Sequence, residues 1–247
     1  MASFPTYSGD LPELTTEQMR EVDRAMIEDY GIQLIQMMEN AGRALAHVAR
    51  VRFLDGDARA RRLLVLAGTG GNGGGALVCA RRLHNAGAQV TVAVTAPERL
   101  RDIPGQQYAI LQQMGVSCVT IKDLAALPQP ELVIDGIIGY SLSGAPAGEA
   151  AALINRANGS GAPILALDVP SGLDATTGIA YDLTIRATAT LTLALPKVGL
   201  RAPGAVEYVG ERYLADLSVP PGLYARSPLN LCVGPIFSRG DVVYLDD

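Results

Sequence analysis

The feature that most constrains this chain is a glycine-rich turn between an apolar run and a helical pattern. The run 63–67 is continuously apolar, and the segment 68–75 that follows contains six glycines, interrupted only by Thr69 and Asn72. Glycine tolerates positive φ and has no Cβ, so backbone N–H groups at a helix N-terminus can approach a ligand closely. The pattern predicts a strand, a tight turn and a helix, with a nucleotide-like ligand as the first hypothesis. A structural glycine turn is the alternative, because Gly-x-Gly-x-x-Gly alone is weakly specific.

The rest of the chain alternates apolar strands with helical segments. A capping box at Thr15 predicts a first helix to about Tyr30, and a second helix is predicted over 33–52. Strands are then predicted at 62–68, 89–95, 116–121, 131–135, 163–168 and 188–195, and helices at 73–86, 104–114 and 147–158. Continuously apolar strands are typical of a parallel sheet covered by helices on both faces. We therefore predict an α/β fold: a Rossmann-like three-layer αβα sandwich with a mostly parallel central sheet and two N-terminal helices.

Length and composition indicate how the chain is divided. A chain of 247 residues, of which 49% are hydrophobic and 18% charged, can bury one large core. We predict an N-terminal extension (1–14), one αβα domain (15–219) and a C-terminal tail packed on the domain (220–247), with a short β pattern at 241–245.

The charge balance and the cysteines limit the classes of partner. Twenty basic and 25 acidic side chains give a net charge of −5, which argues against nucleic acid or an anionic membrane surface. Cys79, Cys118 and Cys232 are widely separated, so neither a disulfide framework nor a zinc site is expected. We expect no export signal and no membrane segment, and therefore a cytoplasmic location.

Three polar clusters follow apolar strands and define the candidate site. The first is the glycine turn with Asn72, the second starts at Asp135 and includes 139–144, and the third runs from Asp168 to Asp174. Open parallel sheets bind ligands beyond the carboxyl ends of their strands, and right-handed crossovers bring these three loops to one rim. Either aspartate alone also fits a helix cap or a bond to nearby N–H groups. Two aspartates at neighbouring strand ends favour a function.

The residue types exclude some chemistry and suggest a cation. The two histidines, His47 and His84, lie in predicted helices and are interpreted as surface or packing residues, so a nucleophilic triad is poorly supported. Asn72, Asp135 and Ser171 offer hard donors, which suit an alkali or alkaline-earth cation rather than zinc. Such a cation would offset the charge of a phosphate-bearing ligand.

Together these motifs resemble the YjeF N-terminal domain family, whose characterised enzymes are NAD(P)HX epimerases. The resemblance covers roughly residues 15–217 and rests on five ordered landmarks: Met38-Glu-Asn40-Ala-Gly42, Gly68-x-Gly-x-Asn72-Gly-Gly, Asp135-x-x-x-Gly139, Asp168-Val-Pro-Ser171-Gly-Leu-Asp174 and Pro196-Lys197-x-Gly-Leu200. It implies an isomerase that interconverts the R and S epimers at C6 of hydrated NADH or NADPH, which is substrate rather than cofactor. A separate dehydratase would then restore the coenzyme, and a homodimer is the implied assembly.

The resemblance also implies a role for each motif. Asp168 would face the nicotinamide end as catalytic acid/base, since a carboxylate can exchange a proton with the C6 hydroxyl. Asn72, Asp135 and Ser171 would bind K⁺, and Lys197 would support an anion or have a surface or helix-cap role. The residues expected to contact the dinucleotide, besides Asp168, are Gly71, Asn72, Gly73, Gly74, Gly75, Gly139, Tyr140, Ser141, Leu142, Ser143, Gly144 and Ala145.

The glycine turn departs from the family pattern at two positions. Family members usually show Gly-Asn-Asn-Gly-Gly-Asp-Gly, whereas this chain has glycine at Gly71 and Gly75 in place of the first Asn and the Asp. A hydrogen bond to a charged group contributes about 1.5–3 kcal/mol, so ligand affinity or turnover is expected to fall by roughly tens to hundreds of fold. A catalytically degenerate or re-purposed member is therefore the alternative, acting as a nucleotide-binding or scaffold module or on another small substrate. An NAD-dependent dehydrogenase is disfavoured, because no acidic residue stands about 20 residues after the glycine turn, at the end of the strand predicted at 89–95, where a partner for the ribose is expected.

Overall fold

A nine-stranded sheet runs through residues 4–246, the part of the chain that the computed structural model describes. The strands are β1 (Thr6–Tyr7), β2 (Arg62–Ala67), β3 (Gln89–Val94), β4 (Ser117–Val119), β5 (Leu132–Gly136), β6 (Ile164–Leu167), β7 (Ala189–Leu193), β8 (Glu211–Ala215) and β9 (Val242–Leu245). Their spatial order is β1-β9-β8-β7-β6-β5-β2-β3-β4, and within this sheet only β8 and β9 pair antiparallel.

The helices begin where the sequence offers caps or glycines. They are α1 (Thr16–Glu28), α2 (Leu34–Val48), α3 (Gly71–Asn85), α4 (Asp102–Gln113), α5 (Gly148–Asn158), α6 (Val206–Val209) and α7 (Pro221–Tyr224). The Thr15 side chain accepts from the Gln18 N–H while the Gln18 side chain accepts from the Thr15 N–H, which satisfies two free donors at the start of α1. No helix within residues 4–246 combines the length and apolar character that a bilayer crossing requires.

Alternating residues of the central strands pack on opposite layers of helices. In β2, Leu63 and Val65 join a cluster with residues of α2 and α3, whereas Leu64 and Leu66 join a cluster with residues of α5. Because successive strand side chains point to opposite faces, both faces of the sheet are covered. The predicted three-layer α/β fold is thereby confirmed.

The differences from the predicted elements lie at helix ends and at one edge of the sheet. The second helix, predicted to residue 52, ends as an α-helix at Val48 and continues as a π-helical turn over 49–53. The strand 211–215 was missed, because it opens with two charged residues and its burial comes from pairing with β7 and β9. The predicted extension supplies the edge strand β1, and the predicted tail supplies β9, which pairs with β1 on one side and β8 on the other. Residues 1–3 and 247 lie outside the described range.

The strand order creates a crevice beside β2. From β2 the chain moves outward to β3 and β4, and then returns to the other side of β2 to form β5 and β6. The loops after β2 and β5 therefore leave the sheet in opposite directions, which is the point where open α/β sheets bind ligands.

Candidate active site

The glycine turn is pressed against the end of β5. The Gly68 N–H donates to the Gly136 carbonyl at 3.0 Å, and a Cβ on Gly68 would overlap the carbonyl oxygen of Ile137. A Cβ on Gly139 would lie 3.0 Å from Cγ of Asn72. The glycines thus allow the loops after β2 and β5 to touch, and they bring Asn72 beside Gly139.

A cavity of about 270 Å³ opens in the crevice between the loops after β2 and β5, the switch point of the sheet, where the order of the strands reverses. One part of its lining carries polar groups: Asp23, Gly71, Asn72, Gly139, Tyr140, Ser141 and Asp168. The other part is apolar: Met19, Leu34, Met37, Met38, Ala41, Leu167, Leu193 and Leu217. A mostly apolar pocket with a few converging polar groups is the usual form of a small-molecule site.

Asp168 directly follows β6, and its carboxylate lines this cavity. Its φ is +68°, and the Val169 N–H donates across it to the Leu167 carbonyl at 2.9 Å, which makes Asp168 the centre of a γ-turn. The residue is 3% exposed, and its carboxylate receives hydrogen bonds from Lys197 Nζ, from the Leu193 N–H at 3.3 Å and from Thr192 Oγ1 at 3.5 Å. All three bonds end on Oδ1, so Oδ2 is left for a ligand. Such a rare backbone conformation at a pocket wall is typical of functional sites.

Lys197 is fully buried and forms an ion pair with Asp168. Its ammonium also donates to the Leu193 carbonyl at 2.8 Å. Backbone bonds between Leu14 and the loop hold it there: Leu14 N–H donates to the Pro196 carbonyl at 2.8 Å, and Val198 N–H donates to the Leu14 carbonyl at 3.1 Å. The surface alternative for Lys197 is therefore wrong, and the anion that it supports within the protein is Asp168.

Asp135 is the next-to-last residue of β5, beneath the cavity, and has only neutral partners among the described residues. It is buried and accepts from the Ile137 N–H at 3.2 Å, the Ser171 N–H at 2.9 Å and Ser171 Oγ at 2.6 Å. Burial raises the pKa of Asp135 to about 6, against the opposite effect of the hydrogen bonds from Ser171 and Ile137. A buried carboxylate without a basic partner is a position that a cation would stabilise.

The donors around Asp135 suit a hard cation. Asn72 Nδ2 is buried without a hydrogen-bond partner, and exchanging the two amide ends would put the oxygen at that position. Ser171 Oγ contacts both Asp135 and the Ile138 carbonyl. Carboxylate, hydroxyl, amide and carbonyl oxygens favour hard ions. Across residues 4–246 no group of three or more His, Cys, Asp or Glu side chains could hold a metal ion, so a transition-metal centre finds no support there.

Asp23 and Tyr140 form a second acidic wall of the cavity. Tyr140 is among the predicted contact residues, whereas Asp23 is the residue that sequence reasoning missed. Tyr140 Oη donates to Asp23 Oδ2 at 2.5 Å, and Thr16 Oγ1 donates to the Tyr140 carbonyl at 3.3 Å. Burial raises the pKa of Asp23, while the Tyr140 hydrogen bond acts in the opposite direction. The available signal was an acidic residue on the apolar stripe of α1, next to Val22 and between Met19 and Met26.

The structure brings some of the predicted contact residues to the cavity and places others elsewhere. The predicted residues that line it are Gly71, Asn72, Gly139, Tyr140, Ser141 and Asp168. The segment 73–75 is buried inside α3, and 142–145 continues along the loop outside the cavity lining. Asp135 and Ser171 contact each other behind the cavity wall.

The two glycines that depart from the family pattern have different surroundings. A Cβ on Gly71 would meet only Met38 Cε, at 3.9 Å, so this position is open. A Cβ on Gly75 would lie 2.9 Å from Leu167 Cδ2, the side chain that precedes Asp168. The space at position 75 is therefore filled by a leucine rather than left vacant.

Comparison with known proteins gives one consistent family. Residues 34–199 match the family model described as YjeF-related protein N-terminus. The chain is 40% identical over 243 residues to the NAD(P)H-hydrate epimerase of Dehalogenimonas lykanthroporepellens, a match that covers 98% of this chain and 96% of that protein. It is 37% identical to the bifunctional NAD(P)H-hydrate repair enzyme Nnr of Moorella thermoacetica, where the match covers 88% of this chain but 42% of that protein.

A solved structure matches the whole fold. The crystal structure of yeast ynu0, YNL200c, superposes with a TM-score of 0.82 and covers 95% of this chain and 100% of that chain, at 22% identity. At this identity the match supports the fold alone. The arrangement of sheet and helices is thus shared with a known protein.

Proposed function

The chain belongs to the YjeF-related protein N-terminus family, and we propose that it is an epimerase that interconverts the R and S forms of hydrated NADH and NADPH. Relatives of matching length are named NAD(P)H-hydrate epimerase: one is 40% identical over 98% of this chain, and that of Rhodopirellula baltica is 33% identical over 85%. The observation that carries the proposal is Asp168, a buried carboxylate with one oxygen available in a cavity at the switch point.

The cavity accommodates the reacting end of the substrate. Its volume of about 270 Å³ lies below the roughly 300–1,000 Å³ of sites for drug-sized ligands, so it suits the nicotinamide end rather than a whole dinucleotide. The N-terminus of α3, at Gly71 and Asn72, presents free N–H groups that favour phosphate oxygens. We propose that the remainder of the dinucleotide follows α3 and the loop 139–145. Gly73, Gly74 and Gly75 then act by permitting close packing rather than by touching the ligand.

The chemistry follows from the carbon that carries the hydroxyl. C6 of the hydrated ring bonds both a hydroxyl and the ring nitrogen N1, so removing the hydroxyl proton allows C6–O to become a carbonyl as the C6–N1 bond breaks. Rotation about the adjacent C–C bond and reclosure on the other face give the other epimer without redox change. We propose that Asp168 Oδ2 takes and returns the hydroxyl proton. Lys197 holds Oδ1 through the ion pair, which leaves Oδ2 facing the substrate.

We further propose that Asn72, Asp135 and Ser171 hold a potassium ion. Three features support this: the unpaired buried amide of Asn72, the lack of a basic partner for Asp135 within the described chain, and the hard donor set. When bound, the ion would supply positive charge that offsets Asp135 and the phosphates of the ligand. It would thereby fix the loops after β2, β5 and β6 relative to one another.

We also propose a partner enzyme, an oligomeric state and a cellular location for this protein. The chain spans 42% and 44% of two relatives named bifunctional NAD(P)H-hydrate repair enzyme, and their second function is consistent with pairing between this epimerase and a separate dehydratase. A homodimer and a cytoplasmic location are the accompanying predictions.

A coupled assay tests the proposed function. The purified protein is incubated with the R epimer of hydrated NADH and an S-specific dehydratase, and the recovery of NADH absorbance is followed. Acceleration above the spontaneous rate is expected. A folded protein that gives no acceleration would instead favour the degenerate or re-purposed alternative, for which Gly71 and Gly75 are the sequence indication.

A further inference from the structure

The cavity presents a second group able to exchange protons, on elements other than the one that carries Asp168. Asp23 comes from α1 and Tyr140 from the loop after β5, and both line the cavity. The Tyr140 hydroxyl is bonded to Asp23 Oδ2, and Asp23 Oδ1 makes no hydrogen bond to any residue within 4–246. The Asp23–Tyr140 pair is thus held together at the cavity surface.

The proposed reaction needs two proton transfers, and Asp168 performs only one of them. When Asp168 takes the hydroxyl proton and the C6–N1 bond breaks, the bonding electron pair stays on N1. A proton must reach N1 for the open form to be neutral, and it must leave N1 when the ring closes. A group other than Asp168 has to carry this second proton, because Asp168 is already protonated at that point.

We propose that the Asp23–Tyr140 pair supplies and removes the proton at N1, an inference that rests on the proposed epimerase function. With Asp23 protonated, the hydrogen bond between them runs from Asp23 to the Tyr140 oxygen, the reverse of the direction in which Tyr140 donates to an ionised Asp23. Tyr140 then gives its hydroxyl proton to N1 and receives the proton of the Asp23 carboxylic acid; closure of the ring reverses both transfers. Asp168 and Asp23 therefore exchange roles within one turnover, and no oxidant or reductant is required. Tyr140 is the catalytic residue of the pair, and Asp23 acts through it.

Burial of the pair favours the neutral form of both groups over the charged form. Burial is the largest influence on the pKa of Asp23 and raises it, and Lys197 and Asp168 act in opposite directions on it. Burial also raises the pKa of Tyr140, as does the neighbouring Asp23 carboxylate. The titratable and charged groups that face the pair from α1, the ends of β6 and β7, and α7 are Arg20, Asp168, Lys197 and Tyr224, and Asp216 at the end of β8 acts on Tyr224. Two carboxylates with such different partners are the arrangement that acid/base pairs use.

A purely structural role for Asp23 makes a different prediction. Asp23 also ties the loop 139–145 to α1 through Tyr140. If that were its whole function, its loss would disturb substrate binding and stability but would leave the pH dependence of kcat unchanged. The pH profile therefore separates the two roles.

The test is the coupled assay over pH 5–9 with wild type, Asp23→Asn, Asp23→Glu and Tyr140→Phe. Glu28→Gln is the matched control, since Glu28 is an exposed carboxylate on the same helix. We expect Asp23→Asn and Tyr140→Phe each to lower kcat by about 10²-fold or more, with KM changed far less. The wild-type profile should be bell-shaped, its alkaline limb should be lost in Asp23→Asn, and Asp23→Glu should restore that limb and part of kcat.

The outcomes are distinguishable from failure of the proposed function. If wild type accelerates epimerisation and Asp23→Asn keeps kcat within about two-fold with both limbs intact, the proton role of the pair is overturned while the epimerase function stands. A lower kcat with an unchanged alkaline limb would also overturn it, in favour of the structural role. If folded wild type gives no acceleration, both proposals fail together.

Discussion

Asp135 and Asp168 occupy equivalent places in the sequence pattern but have opposite partners in the structure. Both end an apolar strand, and β5 and β6 are neighbours in the sheet. Asp135 accepts hydrogen bonds from neutral groups of Ile137 and Ser171, while Asp168 is paired with the ammonium of Lys197 and lines the cavity. Under the proposed function, this difference gives the two aspartates different roles: Asp168 faces the substrate as the base, and Asp135 joins the loops after β5 and β6 and is a ligand of the proposed cation.

The largest difference between variants at Asp168 and at Asp135 is expected in kcat. Asp168→Asn removes the group that takes the hydroxyl proton, so kcat should fall by about 10²–10⁴-fold. Asp135→Asn should act chiefly on KM, because Asp135 supports the loops that bind the ligand. Steady-state kinetics of both variants measure this, and an equal loss of kcat in the two would break the comparison.

The next effect concerns stability around the buried ion pair. Lys197→Met leaves Asp168 as an unpaired buried charge, which should lower the free energy of unfolding by about 3–5 kcal/mol. The double variant Asp168→Asn with Lys197→Met should recover most of that loss, and Asp135→Asn alone should cost about 1–3 kcal/mol. Urea unfolding gives all of these values. Additive losses in the double variant would show that the pair is not coupled.

The comparison extends to Gly71 and Gly75, the two positions that depart from the family pattern, because Gly75 packs against the residue that precedes Asp168. Gly75→Asp places a carboxylate against Leu167, the residue before Asp168, and overpacking alone should cost about 1–3 kcal/mol. Gly71→Asn projects into open space and should change the unfolding free energy by less than about 0.5 kcal/mol. Thermal unfolding of the two variants checks this, and a destabilised Gly71→Asn would contradict the open surroundings of position 71.

A potassium ion should stabilise the folded protein through the Asp135 site and independently of Asp168. At a K⁺ concentration ten times Kd, binding to the folded state adds about 1.4 kcal/mol, which should appear as a higher Tm in KCl than in LiCl of equal ionic strength. Asn72→Ala should abolish this difference and Asp168→Asn should retain it. Indifference of wild type to the exchange of salts would remove the cation assignment.

The smallest effect is the contribution of Asp23 to the pH dependence of the free energy of unfolding. Its folded pKa is raised above the unfolded value of about 3.9, so its contribution to stability is full below that pH and is lost as pH rises through the folded pKa. The unfolding free energy of Asp23→Asn relative to wild type should therefore increase as pH rises from 4 to 7. A relative stability that decreases over this range would reverse the sign of the pKa shift.

What the sequence could predict is what local patterns determine. Apolar strands followed by Asp135 and Asp168 predicted both strand ends, because the topology of a parallel sheet brings such ends to one rim. The glycine turn likewise predicted the start of α3 to within two residues of Gly71.

The remaining features depend on contacts between distant segments. Lys197 is buried because the backbone of Leu14 pins its loop, and Gly75 is filled because Leu167 of β6 packs on α3. Asp23 reaches the cavity because α1 docks on the loop that carries Tyr140, 117 residues further along the chain. The apolar stripe of α1 indicates that Asp23 faces inward, but no pattern in the sequence indicates which distant residue each of these groups meets.

The most direct test of the account is to follow both epimers of hydrated NADH by chromatography, starting separately from pure R and pure S, with wild type and with Asp168→Asn. The account predicts that wild type drives both samples to the same R-to-S ratio faster than the spontaneous reaction, without forming NAD⁺ or NADH, and that Asp168→Asn loses the acceleration while remaining folded. A folded Asp168→Asn variant that reaches this ratio as fast as wild type would contradict the assignment of the chemistry to Asp168.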